Sequence, residues 1–256
     1  MIKAAFFDVD GTLVSHESKS VPQSARNAIK ALREKGILCI VATGRQIREM
    51  EALPVGDMAF DGYITLNGQL CLDAEKKMYF GVPLEGTAKD ILLELFESHA
   101  VPVSFSEEER MYLNYVCPEV EQVQEAISSP IPPVGQYTGA PVYLACIYIP
   151  GGVHPCLPVL REHCIVTWWN SGGADVIAKG GGKVKGIQRY LDANGITREE
   201  IIAFGDGEND LEMLQFAGIG VAMGNAEEEV KQAADYVTAD IDDDGIAKAL
   251  KYYGLI

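Results

Sequence analysis

The sequence predicts an α/β protein with a doubly wound, mainly parallel sheet and an α+β domain inserted into it. Two observations predict the sheet. Short apolar runs near the N-terminus are joined by an amphipathic helix, and the last third of the chain repeats that pattern. A third observation predicts the insertion, because short strands outnumber long helices between residues 82 and 179.

The N-terminal part predicts parallel strands connected by a helix. Ile2–Phe7 and Ile37–Ala42 are typical of strands that are buried on both faces. The helix between them is predicted over Pro22–Lys35, where the apolar residues form one stripe and Gly36 follows the end. Gly62–Leu66 is the third strand, so this half favours a parallel sheet with helices on its faces.

The C-terminal third again alternates helices with short apolar strands. This alternation predicts a second doubly wound half. The predicted elements are the helix Lys183–Asn194, the strand Ile201–Phe204, the helix Leu211–Ala217, the strand Ile219–Ala222, the helix Ala226–Ala234, the strand Tyr236–Thr238 and the helix Gly245–Tyr253.

The middle of the chain has a different composition of elements, with more strands than long helices. The predicted helices are Thr87–Ser98, Pro118–Ile127 and Pro155–Glu162, and the predicted strands are Val101–Phe105, Met111–Tyr115, Val142–Ile149, Ile165–Trp169 and Asp175–Ala178. We therefore predict one domain built from residues 1–81 and 180–256, with residues 82–179 inserted as a second domain.

The composition restricts the class of protein. Of 256 residues, 48% are hydrophobic and 23% charged, as in ordinary globular proteins. The net charge of −16 repels phosphate backbones, so nucleic acid is an improbable partner, whereas a small phosphorylated ligand is compatible with a local cation. No secretory signal or membrane-spanning run is apparent, and the six scattered cysteines predict reduced thiols in a cytoplasmic protein.

Polar side chains follow several of the predicted strands. In an open parallel sheet, ligands bind beyond the carboxyl ends of the strands, so these side chains are expected to converge. They are Asp8 and Asp10 after the first strand, Thr43 after the second, Asn67 after the third, and Asp206, Asn209 and Asp210 after the strand ending at Phe204; Lys183 opens a helix nearby.

These carboxylates predict a metal site. Several carboxylates at one edge repel one another and stay ionised together only around a cation. Because all candidate ligands are oxygens, the cation should be hard, and Mg²⁺ fits. Thr43, Lys183 and Asn209 add hydrogen-bond donors for a phosphate group, and a carboxylate can act as the nucleophile in phosphoryl transfer.

Four motifs in order resemble those of the haloacid dehalogenase (HAD) superfamily. They are D-x-D-G-T at Asp8–Thr12, T-G-R at Thr43–Arg45, the lysine at 183 and G-D-G-x-N-D at Gly205–Asp210. Within the superfamily, the sequence is most similar to the Cof-type, sugar-phosphatase-like branch, in which a large α/β cap is inserted between the second and third motifs. The resemblance implies a Rossmann-like catalytic core of residues 1–81 and 180–256 and a substrate-specificity cap of residues 82–179.

The resemblance also implies a role for each motif residue. Asp8 would be the nucleophile and a metal ligand, and Asp10 the acid–base, which also binds the metal through its backbone carbonyl. Asp206 would be the second metal carboxylate, and Asp210 would orient Lys183 or a metal-bound water. The phosphate-binding residues would be Thr43, Gly44, Lys183 and Asn209, with Arg45 as a substrate contact or a helix-surface charge.

These roles imply a cytoplasmic, Mg²⁺-dependent phosphomonoester hydrolase that forms an aspartyl-phosphate. Its substrate would be a small phosphorylated metabolite, such as a sugar phosphate, and the protein a monomer or small homo-oligomer. An aspartate at position 10 favours a phosphatase or a phosphomutase over an ion-pump ATPase, which has a threonine there. A phosphomutase and a non-catalytic sensor of phosphorylated metabolites remain the alternatives.

Two clusters in the inserted domain have open interpretations. His154, Cys156, His163 and Cys164 could hold zinc, although their spacing matches no standard zinc site. Trp168, Trp169 and Asn170 could shape a substrate pocket, or the two rings could simply pack in the protein. Lys179 and Lys185 flank Lys183, which we prefer because it leads its helix.

Overall fold

A computed structural model describes residues 1–126, 129–169 and 171–256 of the chain. It contains two compact units. The main unit consists of Met1–Phe80 and Gly182–Ile256, and the inserted unit consists of Gly81–Gly181. Strands and helices are numbered in chain order.

The main unit contains an eight-stranded sheet in the order β13-β12-β11-β1-β2-β3-β4-β5. The pairs from β13 to β3 are parallel, and β4 runs antiparallel to β3. The strands are β1 (Ala4–Phe7), β2 (Leu38–Ala42), β3 (Gly62–Thr65), β4 (Leu70–Leu72), β5 (Met78–Gly81), β11 (Ile201–Gly205), β12 (Ile219–Ala222) and β13 (Tyr236–Val237).

Helices cover both faces of this sheet. One face, which includes Phe6 and Ile40, packs against apolar side chains from the helices that begin at Lys183 and Leu211. Because side chains alternate along a strand, Phe7 lies on the opposite face, where it stacks on Phe204. The helices are α1 (Gln23–Glu34), α2 (Ile47–Ala52), α6 (Lys183–Asn194), α7 (Leu211–Phe216), α8 (Glu228–Ala233) and α9 (Gly245–Tyr252). The predicted doubly wound, mainly parallel sheet is confirmed.

Strand β1 is the centre of the sheet. It pairs with β2 on one side and β11 on the other, and its four residues are fully buried. The chain moves outward in one direction through β2 and β3 and in the other through β11 and β12. The sheet therefore has its switch point at β1, whose carboxyl end leads into Asp8.

The inserted unit contains a five-stranded sheet in the order β7-β6-β8-β10-β9, and all four neighbouring pairs are antiparallel. Its elements are α3 (Gly86–Ser98), β6 (Val103–Ser106), β7 (Met111–Leu113), α4 (Pro118–Ala126), β8 (Leu144–Tyr148), α5 (Cys156–His163), β9 (Cys164–Trp168) and β10 (Gly173–Ala178). The predicted α+β character of this region is confirmed. The last predicted residue of its second helix, Ile127, lies outside the described residues.

Short elements account for the differences from the prediction. The sequence pattern did not predict α2, β4 or β5. Helix α2 has six residues and strand β4 three, which is too short for a periodic pattern to be recognised. None of the helices in the described ranges has both the length and the apolar character needed to cross a bilayer.

Candidate active site

The loop after β1 brings Asp8 and Asp10 to the edge of the sheet. The Asp8 N–H donates to the Phe204 carbonyl at 3.0 Å, so Asp8 continues the strand ladder. The Val9 carbonyl then accepts the N–H groups of Leu13 and Val14, which closes a tight turn. Gly11 in this turn has φ +79°, and a Cβ there would overlap the Asp206 carboxylate. The glycine of the first motif is therefore required by both backbone conformation and space.

Lys183 reaches the same edge from the first turn of α6. Its Nζ donates to Oδ1 of Asp8 and to Oδ1 of Asp210, each at 2.6 Å, and the residue is buried. The beginning of α6 approaches the sheet closely because glycines lie at the contact: a Cβ on Gly68 would overlap the Gly182 carbonyl, and one on Gly186 would lie 2.5 Å from Ile64. The lysine position thus depends on close backbone approach.

The loop after β11 supplies two further carboxylates. Oδ2 of Asp210 accepts the N–H groups of Asp206 and Gly207 at 3.0 and 3.1 Å. Thr12 donates its hydroxyl to Oδ1 of Asp206 at 2.8 Å and so joins this loop to the loop after β1. A residue with a Cβ in place of Gly205 would collide with Asp210. The loop is therefore folded around the Asp210 side chain.

Asp8, Asp206 and Asp210 form a cluster suited to a cation. Each offers a carboxylate oxygen, and these oxygens lie within 4.8 Å of one another. Burial raises the pKa of Asp206 to about 7, and Asp210 adds to the shift. Burial and then Asp210 also raise the pKa of Asp8 well above its usual range. Burial alone would lower the pKa of Lys183, but Asp210 and Asp8 outweigh it and raise that pKa.

One lysine does not balance three carboxylates, so the site has a deficit of positive charge. A divalent cation would correct that deficit, and an all-oxygen ligand set fits a hard ion such as Mg²⁺. Among the described residues, this is the one group of three or more His, Cys, Asp or Glu side chains placed to hold a metal. The residues present therefore fit the predicted cofactor.

The Asp10 carboxylate is not part of that cluster. Its Oδ2 accepts from Nε of Arg45 at 2.6 Å and its Oδ1 from Nη2 at 2.8 Å. The predicted metal contact of Asp10 involved its backbone carbonyl, so its side chain is available for another task. Arg45, which the sequence placed among the substrate contacts, lies against the predicted acid–base.

The loops after β2 and β3 lie side by side at this edge. The buried hydroxyl of Thr43 accepts the Arg45 N–H at 3.2 Å, and the Asn67 N–H donates to the Thr43 carbonyl at 3.0 Å. Asn67 has left-handed backbone angles, and a Cβ on Gly44 would lie 3.0 Å from its Oδ1. Gly44 thus allows the Thr43 loop to approach Asn67.

The remaining predicted residues differ in burial. Asn209 is exposed on the turn between Asp206 and Asp210. Lys179 and Lys185 are also exposed, whereas Lys183 is buried against two carboxylates. Geometry thus separates Lys183 from its neighbours in the sequence.

Two residues that hold the loops of the site together by hydrogen bonds, Thr12 and Asn225, were not predicted as site residues. Thr12 belongs to the first motif, but its contact with Asp206 required the fold. Asn225 donates from Nδ2 to the Gly11 carbonyl at 2.8 Å and accepts the Ile241 N–H at 3.0 Å. The signal for Asn225 was its place in the fragment VAMGNA, which resembles the family.

The two clusters of the inserted unit have local partners. His154 Nδ1 lies 2.9 Å from Sγ of Cys156, and Sγ of Cys164 donates to the Leu160 carbonyl. Trp168 packs on the larger apolar cluster of this unit, whereas Trp169 packs on Tyr148 and donates to Asp175. Asn170, the third candidate pocket residue, lies outside the described residues.

Comparisons with known proteins agree with this fold. The profile of the haloacid dehalogenase-like hydrolases matches residues 5–135 and 154–250. The HAD phosphatase BT1666 of Bacteroides thetaiotaomicron is 34% identical with a TM-score of 0.90, over 100% of this chain and 96% of that one. The HAD subclass IIB sugar phosphatase BT4131 is 37% identical with a TM-score of 0.83, over 99% and 100% of the two chains.

A relative whose name specifies a substrate has a similar length. The 5-amino-6-(5-phospho-D-ribitylamino)uracil phosphatase YitU of Bacillus subtilis is 30% identical over 269 residues, which cover 96% of this chain and 95% of that protein. The sequence prediction of a Cof-type HAD fold is confirmed by these matches. The chain therefore belongs to the haloacid dehalogenase-like hydrolase family, and it is a phosphatase of that family.

Proposed function

We propose that this protein is a Mg²⁺-dependent phosphomonoester hydrolase that forms an aspartyl-phosphate on Asp8. The observation that carries the proposal is the environment of Asp8. Its buried carboxylate lies at the carboxyl end of the central strand, 2.6 Å from Nζ of Lys183 and within a cluster of three carboxylates. This geometry at the switch point of the sheet supports Asp8 as the nucleophile and Lys183 as the charge-neutralising group.

The residues divide the reaction between them. Asp8 attacks phosphorus, and Asp10 protonates the oxygen of the departing alcohol. Asp10 then takes a proton from the water that hydrolyses the acyl-phosphate, and Asp8 is regenerated. Lys183 neutralises negative charge at the phosphoryl group, together with Thr43, the Gly44 backbone and Asn209 as hydrogen-bond donors.

Asp8, Asp206 and the Asp10 backbone carbonyl would hold the Mg²⁺, with Asp210 orienting Lys183 or a metal-bound water. When bound, the ion supplies positive charge that offsets the carboxylates and the phosphate oxygens. Without it, the carboxylate cluster repels an incoming phosphate dianion. The carboxylate oxygens of Asp8, Asp206 and Asp210 lie within 4.8 Å of one another, which supports the two carboxylate ligands of this assignment.

The proposed substrate is a small phosphorylated metabolite, with sugar phosphates as the first candidates. BT4131 is named a sugar phosphatase and YitU a phosphatase of a phospho-D-ribitylamino compound. We assign catalysis to residues 1–81 and 180–256 and substrate choice to residues 82–179, because the proposed chemical groups all lie in the former. We place the protein in the cytoplasm, because the six cysteines, all within the described residues, are free thiols, as expected of a reducing compartment. We propose that it is a monomer or a small homo-oligomer.

The test is phosphate release from a panel of sugar and cofactor phosphates, in Mg²⁺ and in EDTA. We expect release that requires Mg²⁺ and falls at least about 10³-fold in Asp8→Asn. Asp192→Asn, an exposed carboxylate on α6, is the matched control and should retain activity. Isomerisation of a sugar phosphate without net release would instead indicate a phosphomutase. Metabolite binding with no turnover would indicate a sensor.

A further inference from the structure

The Arg45 guanidinium donates two parallel hydrogen bonds to the Asp10 carboxylate, and this pair of hydrogen bonds forms a fork. Nε donates to Oδ2 at 2.6 Å and Nη2 to Oδ1 at 2.8 Å. The Arg45 side chain is 19% exposed and that of Asp10 is 35% exposed, so the pair lies at the mouth of the site. A two-pronged contact between a planar guanidinium and a carboxylate fixes the plane of the carboxylate as well as its position.

The guanidinium is itself held in place. The backbone of Arg45 is fixed first. Its backbone N–H donates to Thr43 Oγ1 at 3.2 Å, and its backbone carbonyl accepts the Leu66 N–H at 3.2 Å. Its third nitrogen, Nη1, lies 3.8 Å from Glu49. Glu49 accepts the Gln46 N–H at 2.8 Å in the capping box that begins α2. The fork is therefore anchored to the start of a helix and to two strand-end loops.

This arrangement differs from that of a phosphate ligand. A residue that binds the phosphoryl group would direct its donors at the carboxylate cluster, where the phosphate must lie. Arg45 instead directs two of its three nitrogens at Asp10. Each carboxylate oxygen has a second lone pair, so the fork leaves acceptor sites on Asp10 for a substrate or water.

We propose that Arg45 is a positioning residue, which orients the Asp10 carboxylate for proton transfer to and from the leaving oxygen. This inference rests on the proposed function, in which Asp10 is the acid–base. It assigns Arg45 an indirect part in the reaction, through Asp10. The alternatives for Arg45, a direct phosphate ligand and a helix-surface charge, are distinguished by the test.

The basicity of the leaving group distinguishes a positioning role of Arg45 from the alternative roles. An alkyl phosphate releases a strongly basic alkoxide and needs a proton from Asp10 as the bond breaks. The phenolate of p-nitrophenyl phosphate is a weak base and leaves without that proton. General acid–base catalysis typically contributes 10²–10⁴-fold. Loss of the fork should therefore reduce alkyl phosphate hydrolysis far more than aryl phosphate hydrolysis.

The experiment compares kcat/KM for a hexose phosphate and for p-nitrophenyl phosphate, because this parameter reports the steps up to the first chemical event. The variants are Arg45→Met and Arg45→Lys. We expect a loss on the order of 10²-fold for the hexose phosphate and of less than about 5-fold for the aryl substrate. Lysine carries the charge without the fork, so Arg45→Lys should resemble Arg45→Met.

Two further variants test whether Arg45 acts through Asp10. Arg48→Met, an exposed arginine on the helix α2 that follows Arg45, is the matched control and should leave both substrates unaffected. In the Asp10→Asn background, Arg45→Met should cost less than about 3-fold, since residues that act as a unit are not additive. Urea unfolding of each variant shows that a loss of rate is not a loss of fold.

Three outcomes would overturn the role of Arg45. Equal losses on both substrates would make it a phosphate ligand. No loss on either would make it a surface charge, and full activity in Arg45→Lys would leave charge alone as its contribution. These outcomes require an active wild type. If the wild type releases phosphate from neither substrate, the proposed function fails, and the role of Arg45 in it fails as well.

Discussion

Each unit of the protein contains a buried polar hub, and the two hubs differ in charge. In the main unit, Lys183 lies between the carboxylates of Asp8 and Asp210. In the inserted unit, the side chain of Asn114 is buried among backbone groups. Its Oδ1 accepts from Val103 and Tyr115, both at 2.9 Å, and its Nδ2 donates to the carbonyls of Phe96 and Val101 at 3.1 and 3.0 Å.

The difference shows which hub is complete without a ligand. An amide has two donor hydrogens and two acceptor lone pairs, and four backbone groups satisfy all of them in Asn114. The ionic hub has one cation for the three clustered carboxylates, so it needs positive charge from outside. We therefore expect the ionic hub to make the stability of the main unit depend on metal and on pH, whereas the Asn114 hub makes a contribution that depends on neither.

The largest expected effect on stability comes from removing the Lys183 ammonium, the positive charge of the ionic hub. Lys183→Met leaves Asp8 and Asp210 buried without a counter-charge, which should lower the free energy of unfolding by about 3–5 kcal/mol. Urea unfolding measures the loss, and hydrogen exchange should locate it in α6 and β11. Lys185→Met, exposed on the same helix, should change stability by less than about 0.5 kcal/mol. Equal effects of the two would contradict the comparison.

The neutral hub should respond to truncation but not to metal. Asn114→Ala leaves buried backbone groups of the inserted unit without partners, at a cost of about 2–3 kcal/mol. Hydrogen exchange should show the lost protection in β6 and α3. The effect should be the same in Mg²⁺ and in EDTA. Gln122→Ala, exposed on α4, serves as the control, and a metal-dependent effect of Asn114→Ala would show that the hubs are coupled.

The next largest expected effect is a decrease in the stability of the main unit as pH rises. Because burial raises the pKa of Asp206 from 3.8 to about 7, its protonated form stabilises the metal-free fold. This stabilisation is fully present below about pH 3.8, decreases as pH rises, and is gone above about pH 7. The expected loss is about 1 kcal/mol between pH 6 and 8 in EDTA. Asp206→Asn should make this slope shallower, leaving the part that the raised pKa of Asp8 contributes, and should abolish stabilisation by Mg²⁺.

Urea midpoints at the two pH values measure that slope. Asp90→Asn, an exposed carboxylate of the inserted unit, is the control and should keep the wild-type slope. A slope in Asp206→Asn as steep as that of the wild type would mean that Asp206 is not responsible for it.

The smallest expected effect on stability is that of Glu107 in the inserted unit. Its pH dependence has the opposite sign to that of Asp206. Glu107 accepts from Tyr112 at 2.7 Å and pairs with Arg110. Burial opposes ionisation of Glu107, but the hydrogen bonds from Arg110 and Tyr112 outweigh it and lower its pKa. Its contribution is therefore present at neutral pH and is lost as pH falls through the usual range of a glutamate.

Glu107→Gln should accordingly reduce stability at pH 7 by about 0.5 kcal/mol, because the partner Arg110 is partly exposed and solvent screens the pair. The difference from wild type should vanish near pH 3. Hydrogen exchange of β6 and β7, corrected for intrinsic rates, measures it. Glu125→Gln on α4 is the control, and a difference that grows on acidification would be the wrong sign.

Much of the main sheet was predictable because its strands are continuous apolar runs. Helix α6 was predicted over the range that the structure gives, Lys183–Asn194. The omissions, α2, β4 and β5, are short segments whose conformation depends on tertiary neighbours. Helix α2 begins with a capping box of Gln46 and Glu49, but six residues are too few to show a helical period.

The convergence of the site residues was also predictable, whereas their pairings were not. The rule that ligands bind at the carboxyl ends of parallel strands brings Asp8, Thr43 and Asp206 to one edge without coordinates. That rule does not state which oxygen faces which nitrogen. The two hydrogen bonds from Arg45 to Asp10 connect residues that are 35 positions apart in the chain. The hydrogen bond from Asn225 to Gly11 connects residues that are 214 positions apart.

The sequence by itself determined the class of fold, the family and the collection of acidic residues at one sheet edge. These follow from local periodicity and from motif order, which depend on near neighbours in the chain. Only the tertiary structure decided that Lys183 bridges Asp8 and Asp210, that Thr12 holds Asp206 and that Arg45 holds Asp10. A hydrogen bond requires its two atoms to lie within a few tenths of an ångström of the right separation, and helix approach and side-chain rotamer set that separation.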